Sequence, residues 1–331
     1  MNNFIIVGGG INGILLAGLL ERRGVAFQGL EKLKSLGKEN LFGQFRLYQD
    51  NSVSLVKELN DTIQWSRVEE QTQERKKGEW VAAHSDFIDE EKAFLGSPFY
   101  QPNDSLKGIT TALINSIAHK FQTEKEVEII DTDKRMVTCT DGTQYFYEKM
   151  AWCADLKSLL KIVKTPAKIS FKKSKKNEDS QGGIHLELEV TNALFPFQGS
   201  VVFPFRYKDY KLRALGMSAP NATSNSSSQK VHWIVFLERE LAEDREEVAK
   251  VIRALKRELL KDFPELKPLI TKEKIVFHPK LDSYTATEVK GLELFPSIFY
   301  IGSEIKLSDS LVSNSPLDLT LENCKRFQEM L

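Results

Sequence analysis

The strongest structural signal in this chain is the stretch Phe4-Ile5-Ile6-Val7-Gly8-Gly9-Gly10-Ile11-Asn12-Gly13. It begins with a short apolar run, which is typical of a strand buried on both faces of a sheet. It ends in glycines spaced as Gly-x-Gly-x-x-Gly. Residues 11–23 then place apolar side chains at helical spacing up to Gly24, and residues 25–31 read as a second short strand. The stretch therefore predicts a βαβ unit of the Rossmann type.

Each glycine of this motif has a separate physical role. Gly8 allows a tight turn, Gly10 lets the backbone approach a pyrophosphate, and Gly13 permits close packing of helix against strand. Glu31 ends the second strand, where its carboxylate would accept hydrogen bonds from ribose hydroxyls and repel a 2′-phosphate. The motif therefore favours FAD or NAD over NADP, and a glycine-rich turn without a ligand is the alternative.

The composition excludes several classes of protein. The chain has 331 residues, of which 41% are hydrophobic, and its 46 Lys and Arg residues balance 46 Asp and Glu residues. A net charge of zero gives no bulk attraction for nucleic acid. The three cysteines and five histidines show no disulfide or metal-ligand spacing. We expect a cytoplasmic two-domain protein with a small-molecule substrate, no nucleic-acid partner and no integral membrane segment; its oligomeric state stays open.

Hydrophobic spacing predicts the remaining elements. A helix is expected over residues 105–121, a β-meander over 127–130, 136–140 and 144–154, and short helical pieces over 41–48 and 53–65. Further strands are expected over 184–190, 195–207, 212–217, 231–237 and 298–301, and helices over 243–263 and from residue 316 onward. The Lys-rich segment 161–177 is expected to be a solvated edge.

Four segments carry a resemblance to a known superfamily. They are residues 5–13 with Glu31, the run Glu31-Lys32-Leu33-Lys34-Ser35-Leu36-Gly37, residues 107–154, and the run Phe299-Tyr300-Ile301-Gly302-Ser303-Glu304. In this order they resemble the FAD-dependent amine oxidase, protoporphyrinogen oxidase and phytoene desaturase group. The family usually continues its second segment with Gly-Gly-Arg, whereas this chain has Gly37-Lys38-Glu39.

The resemblance implies an α/β fold with a Rossmann-type FAD-binding domain, which has a parallel sheet plus a β-meander, and a second α+β substrate domain built on a mixed sheet. It places the FAD-binding domain in residues 1–50, 100–160 and 290–331, and the substrate domain in residues 51–99 and 161–289. It also implies FAD contacts at Gly8, Gly10, Ile11, Asn12, Gly13, Glu31, Lys32, Gly37, Lys38, Val127, Gly302, Glu304 and Leu317.

The family places particular parts of FAD at these positions. Val127 would pack beside the adenine ring, and Gly302 and Glu304 would lie near the ribityl chain and the phosphates. The closing helix, with Leu317 in its first turn, would point its N-terminus at N1 and the C2 carbonyl of the flavin. There the helix dipole would stabilise the anionic reduced ring.

The activity implied by the resemblance is oxidation of a C–N or C–C bond of a small molecule, with hydride transfer to flavin N5. Lys168 matches the position of a lysine that holds a water near N5 in the family's oxidases, and a surface lysine is the alternative. The pairs Phe195/Phe197 and Phe203/Phe205 would line a substrate cavity or fill the sheet core. The sequence names neither the substrate nor the electron acceptor.

Three other functions remain open. A flavin-binding protein that is non-catalytic or depends on a partner is suggested by Lys38-Glu39 in place of the usual Gly-Arg. A flavin monooxygenase is echoed by the run Ala154-Asp155-Leu156-Lys157-Ser158. An NAD-dependent dehydrogenase is disfavoured by the meander and by the return of the chain at Gly302.

Overall fold

The computed structural model describes residues 4–37, 46–61, 63–69, 71–83, 87, 91, 95, 98–102, 106–164, 182–191, 199–218, 228–278, 287–310 and 316–331. Among these residues, none of the helices combines the length and the apolar character that crossing a membrane requires.

The helices are, in chain order, α1 (Ile11–Arg22), α2 (Asp50–Leu59), α3 (Leu106–Ile117), α4 (Leu156–Ile162), α5 (Arg239–Glu243), α6 (Arg245–Asp262), α7 (Leu266–Leu269) and α8 (Pro316–Glu329). The strands are, in chain order, β1 (Phe4–Val7), β2 (Gln28–Leu30), β3 (Trp65–Val68), β4 (Gln73–Lys76), β5 (Glu79–Ala82), β6 (Phe99–Pro102), β7 (Phe121–Gln122), β8 (Val127–Asp131), β9 (Met136–Cys139), β10 (Gln144–Phe146), β11 (Lys149–Trp152), β12 (Gly182–Val190), β13 (Ser200–Tyr207), β14 (Tyr210–Ser218), β15 (Gln229–Leu237), β16 (Ile270–His278), β17 (Thr287–Val289), β18 (Glu293–Phe295), β19 (Ile298–Tyr300) and β20 (Ile305–Leu307).

The first core forms around a six-stranded sheet in the order β18-β19-β11-β1-β2-β7. Strand β1 pairs in parallel with β11 on one side and with β2 on the other. Helix α1 is buried continuously from Gly13 to Leu20 because it lies against β1 and contacts α2, α3 and α8. This enclosure explains why α1 is apolar on all sides rather than on one face. The small antiparallel sheet β10-β9-β8 is the predicted meander.

The second core forms on a seven-stranded sheet in the order β16-β12-β15-β14-β13-β4-β5. The sheet is mixed, because β13 pairs in parallel with β4 while the other neighbours are antiparallel. One face packs against α6, whose Val251 and Leu255 are buried against side chains such as Phe203 and Trp233. The opposite face carries a smaller apolar cluster with Ile234 near its centre.

Most elements predicted from the sequence are confirmed, but some differ in their bounds and others were not predicted. The strand expected over 144–154 is two strands, β10 and β11, which lie in different sheets. The helix expected over 53–65 is α2, which begins at Asp50 and ends at Leu59, and Trp65 starts strand β3. Helix α4 and strands β3, β4, β5, β6, β16, β17, β18 and β20 were not predicted; in β16, exposed polar residues hide the apolar alternation.

Two predicted elements and the domain boundaries need separate comment. Of the helix expected over 41–48, residues 41–45 lie outside the described residues, and Leu47 bridges to Tyr100 instead. The Lys-rich segment lies outside the described residues from position 165 to 177. Helix α2, placed by sequence in the substrate domain, packs Val53 and Val56 into the core of the parallel sheet. The domain boundaries stay a prediction.

Candidate cofactor-binding site

The glycine turn between β1 and α1 is closed on its inner side and open at its tip. Gly8 has φ +103°, and a Cβ there would lie 3.1 Å from the backbone of Cys153 and Ala154. A Cβ on Gly13 would overlap the carbonyl oxygen of Gly8. Gly10 is exposed, and a Cβ there would meet no atom within 4 Å. Only at Gly10 can a ligand approach the backbone of this turn closely.

Helix α1 presents its N-terminus at the open tip. Gly10 is the N-cap, and the first bond within the helix runs from the N–H of Ile14 to the carbonyl oxygen of Gly10 at 3.0 Å. The N–H groups at Ile11, Asn12 and Gly13 precede that bond and so point out of the helix. The helix dipole adds a partial positive charge at the same place. The tip therefore has the donors and the potential that a pyrophosphate requires.

The buried carboxylate of Glu31 fixes the turn by accepting hydrogen bonds from its backbone and from the segment after β2. Its side chain is 5% exposed, one carboxylate oxygen accepts the backbone N–H of Gly9, and the other accepts that of Leu33 at 2.8 Å. The N–H of Gly37 donates to the carbonyl oxygen of Gly9 at 2.8 Å, so the segment after β2 folds back over the turn. Each carboxylate oxygen has a second lone pair. Glu31 can therefore anchor the turn and still accept a ribose hydroxyl.

Asn12 joins the start of α1 to the start of α8 and to the end of β19. Thr320, in the second turn of α8, donates its hydroxyl to Oδ1 of Asn12 at 3.1 Å. A Cβ on Gly302 would lie 3.1 Å from Nδ2 of Asn12, and the carbonyl oxygen of Gly302 accepts from Asn323 at 2.7 Å. Two helix N-termini thus lie side by side at the carboxyl edge of the parallel sheet, which is where ligands bind in open α/β sheets.

Glu304 has structural partners of its own. Its Oε2 accepts the backbone N–H of Leu156 at 2.6 Å and the hydroxyl of Tyr300 at 2.9 Å. Burial, followed by the charge of Glu304, raises the pKa of Tyr300 well above its usual value. Asp155 caps the same helix, α4, through the N–H groups of Lys157 and Ser158. The carboxylate of Glu304 therefore fixes α4 against β19, and a contact of Glu304 with FAD stays a prediction.

The other predicted contact residues lie in different surroundings. Lys32 is exposed, whereas Val127 and Leu317 are half-buried and pack against the core of the parallel sheet. Lys38 and Lys168 lie outside the described residues, as do Phe195 and Phe197. Phe203 and Phe205 are sheet core: they point towards α6 and do not line a cavity at the turn.

Sequence reasoning missed a buried arginine beside the start of α8. Arg46 is 6% exposed, donates to the hydroxyl of Ser200 and, at 3.2 Å, to the carbonyl oxygen of Gly199. Its guanidinium lies 3.9 Å from the centre of the Phe99 ring. Burial lowers the pKa of Arg46 to about 10, so the side chain remains a cation at neutral pH.

Tyr48 connects this arginine to α8. Its backbone N–H donates at 2.9 Å to Oδ2 of Asp318, which is fully buried in the first turn of that helix. Arg46 therefore sits between the start of α8 and the face of the seven-stranded sheet that carries Ser200. No local sequence signal marks this pair, because Arg46 and Ser200 meet only through the fold.

Comparison with known proteins gives a likeness in structure alone. No protein-family model and no curated protein matches the sequence. An oxidoreductase from Methanosarcina mazei superposes with a TM-score of 0.66 at 14% identity, over 99% of this chain and 100% of that one. A protein from Pyrococcus furiosus superposes with a TM-score of 0.64 at 13% identity, over 98% and 97%. PqsL, a probable FAD-dependent monooxygenase from Pseudomonas aeruginosa, superposes with a TM-score of 0.58 at 12% identity, over 99% of this chain and 85% of that one.

The chain shares its fold with these proteins, which include an oxidoreductase and a probable FAD-dependent monooxygenase. The predicted fold class is thereby confirmed. It combines a Rossmann-type domain, which has a parallel sheet and a meander, with an α+β unit built on a mixed sheet. The likeness extends over nearly the whole chain, which includes the mixed sheet as well as the glycine turn. The amine oxidase subgroup stays a prediction.

Proposed function

We propose that this chain is an FAD-dependent oxidoreductase that acts on a small molecule. The observation that carries the proposal is the open tip at Gly10, where the N-terminus of α1 faces outward on the fold of FAD-dependent oxidoreductases. A glycine-rich turn without a ligand would not need open space at Gly10 together with tight packing at Gly8 and Gly13.

The residues at the turn fit FAD. Gly10 and the N–H groups of Ile11 and Asn12 would bind the pyrophosphate, and Glu31 would accept a ribose hydroxyl. The isoalloxazine ring would lie towards the start of α8, near Gly302. FAD would supply the two-electron chemistry by accepting a hydride. The chain would supply binding, orientation and exclusion of water.

The substrate would lie between the start of α8 and the face of the seven-stranded sheet that carries Ser200, which we call the inner face. Cross-strand pairing places Ser200, Met217 and His232 in one row on that face. Arg46 is fixed to this row through Ser200, so a cation stands at its end. The row offers an apolar centre with polar ends, which suits a small molecule that carries one polar group. The reaction we propose is oxidation of a C–N or C–C bond of that molecule.

A monooxygenase is the second candidate. It is supported by the likeness to PqsL, a probable FAD-dependent monooxygenase, over 99% of this chain. The two reactions differ in the source of electrons, because a monooxygenase consumes a reduced nicotinamide whereas an oxidase or dehydrogenase takes electrons from its substrate.

The purified protein tests both candidates. We expect the protein to show the absorption bands of a bound flavin in the blue region of the visible spectrum and to release FAD on heating. Anaerobic photoreduction followed by oxygen distinguishes an oxidase, which reoxidises without other substrates, from a dehydrogenase. Flavin-dependent consumption of NADH or NADPH with a candidate substrate would favour the monooxygenase. A colourless protein that does not take up added FAD would refute the proposal.

A further inference from the structure

Three of the chain's five histidines meet on one face of the seven-stranded sheet. His185 on β12 pairs with Ile234 on β15 and with Val276 on β16. His232 and His278 lie two residues away from these partners along β15 and β16 respectively. Because side chains alternate between the faces of a sheet, all three imidazoles lie on the same face.

The three rings form a line. Nδ1 of His185 lies 3.1 Å from Nε2 of His232, and the two rings stack at 5.2 Å with an interplanar angle of 19°. The ring of His278 lies 5.2 Å from that of His185, edge to face at 88°. His278 is half-buried on the edge strand β16, whereas His232 is 2% exposed. The line therefore runs from the edge of the sheet into the protein.

Among the residues that the structure describes, no group of three or more His, Cys, Asp or Glu side chains is arranged to hold a metal ion. Among the described residues, Arg46 lies at the inner end of the line, and Glu187 and Lys274 lie across the strands from it.

The environment keeps the imidazoles neutral. Burial, with His278 nearby, lowers the pKa of His185 to about 4, and burial also lowers the pKa of His278. Burial, then His185 and Arg46, lower the pKa of His232 well below its usual value. A neutral imidazole accepts a proton at one nitrogen and releases one from the other, so a neutral pair conducts protons without trapping one as imidazolium.

The inner end of the line points to the site proposed above. Arg46 contacts Tyr48, whose backbone binds Asp318 in the first turn of α8. We propose that His278, His185 and His232 form a proton path between solvent and the substrate site. This proposal rests on the proposed function for the inner end of the path.

For a substrate with an H–C–N–H group, bound FAD would take the hydride from carbon as the C=N bond forms. The N–H proton would go to Nδ1 of His232, the nitrogen that faces away from His185. The proton on Nε2 of His232 moves to Nδ1 of His185, and the proton on Nε2 of His185 leaves through His278 to solvent. Protons would enter by the same path in the reverse order.

The first test needs no cofactor. In a protein labelled with ¹⁵N histidine, we expect His185 and His232 to give neutral imidazole signals at pH 7, with one proton shared between Nδ1 and Nε2. His185→Gln should shift the His232 signals, and His119→Gln, an exposed control, should not. A His232 that titrates near 6.5, or that is unaffected by His185→Gln, would overturn the path.

The second test uses FAD-loaded protein and oxygen. Reoxidation passes a hydride equivalent to oxygen and takes up one proton to give hydrogen peroxide. We expect His278→Ala and His185→Gln to slow this reaction about 100-fold. Added imidazole should restore the rate of His278→Ala, because a merely structural loss would not be rescued by a soluble proton carrier.

Two outcomes separate the proposals. If the variants bind FAD and reoxidise at the rate of the wild type and of His119→Gln, the proton path is wrong and the proposed function stands. If the wild-type protein binds no FAD, the proposed function is wrong, and so is the assignment of a substrate to the inner end of the path. The NMR signals of the histidines would still show whether His185 and His232 share a proton.

Discussion

The buried histidines predict a loss of stability between pH 7 and pH 5. The pKa of His185 is about 4 in the folded protein and 6.5 in the unfolded chain. Between these pH values the unfolded chain binds a proton at His185 and the folded protein does not. The free energy of unfolding is therefore fully present above pH 6.5 and falls as the pH falls towards 4. Linkage gives about 2 kcal/mol at pH 5 for His185 alone. His232 shifts in the same direction and adds to the loss.

The carboxylates whose pKa is lowered by hydrogen bonds do not account for a loss in this window. Hydrogen bonds from Lys208, Lys250 and Tyr207 lower the pKa of Glu247 to about 2 from 4.5, so its contribution is lost only as the pH falls below 4.5. The histidine effect therefore dominates above that pH.

Urea unfolding followed by tryptophan fluorescence measures the effect, since Trp233 is buried in the same sheet as the histidines. We expect the free energy of unfolding of the wild type to fall by at least about 2 kcal/mol from pH 7 to pH 5. His185→Gln should lose about 2 kcal/mol of this dependence and keep only what the other histidines contribute, while the exposed control His119→Gln keeps all of it. Equal stability at the two pH values, or the same pH dependence in His185→Gln and wild type, would show that His185 is not held neutral by burial.

Substitutions at the turn give three further predictions. In Gly13→Ala the new Cβ overlaps the carbonyl oxygen of Gly8, so we expect a lower Tm and no bound FAD; wild-type values of both would contradict the packing. In Gly10→Ala the Cβ has open space, so the Tm should stay unchanged while FAD, titrated by fluorescence, binds roughly tenfold more weakly; an unchanged Kd would contradict the pyrophosphate position. Glu31→Ala leaves two backbone N–H groups without their acceptor, so the free energy of unfolding in urea should fall by about 2 kcal/mol. FAD should also dissociate faster, as measured by its release on heating, and unchanged retention of FAD would rule out the ribose contact.

The turn and its flanking elements were predictable from the sequence because their signals are local. The apolar run, the glycine spacing and the acid at the end of β2 all lie within residues 4–31, and each dictates the conformation of its own neighbourhood. Pro316 likewise marked the start of α8, since proline is favoured at the first position of a helix.

The inner face of the seven-stranded sheet was not predictable in the same way. His185, His232 and His278 lie on three strands that are far apart in the sequence, and each alone reads as an ordinary strand residue. The contacts between their rings depend on the register of β12 with β15 and β16, and no local sequence pattern predicts that register. A shift of one residue in either pairing would move one imidazole to the opposite face and break the line.

The two helix starts that meet at Asn12 differ in how their charge is balanced, and the difference bears on what each can bind. The first turn of α8 contains the buried carboxylate of Asp318, whereas the first turn of α1 contains no acid. Glu31 lies behind the turn and takes the N–H of Gly9, which leaves the outward side at Gly10 to a ligand. An anion is therefore favoured at α1. At α8, where Asp318 already offsets the dipole, a ring that is neutral until it is reduced fits better than a phosphate. These charges support the proposed order, in which the pyrophosphate lies at α1 and the flavin at α8.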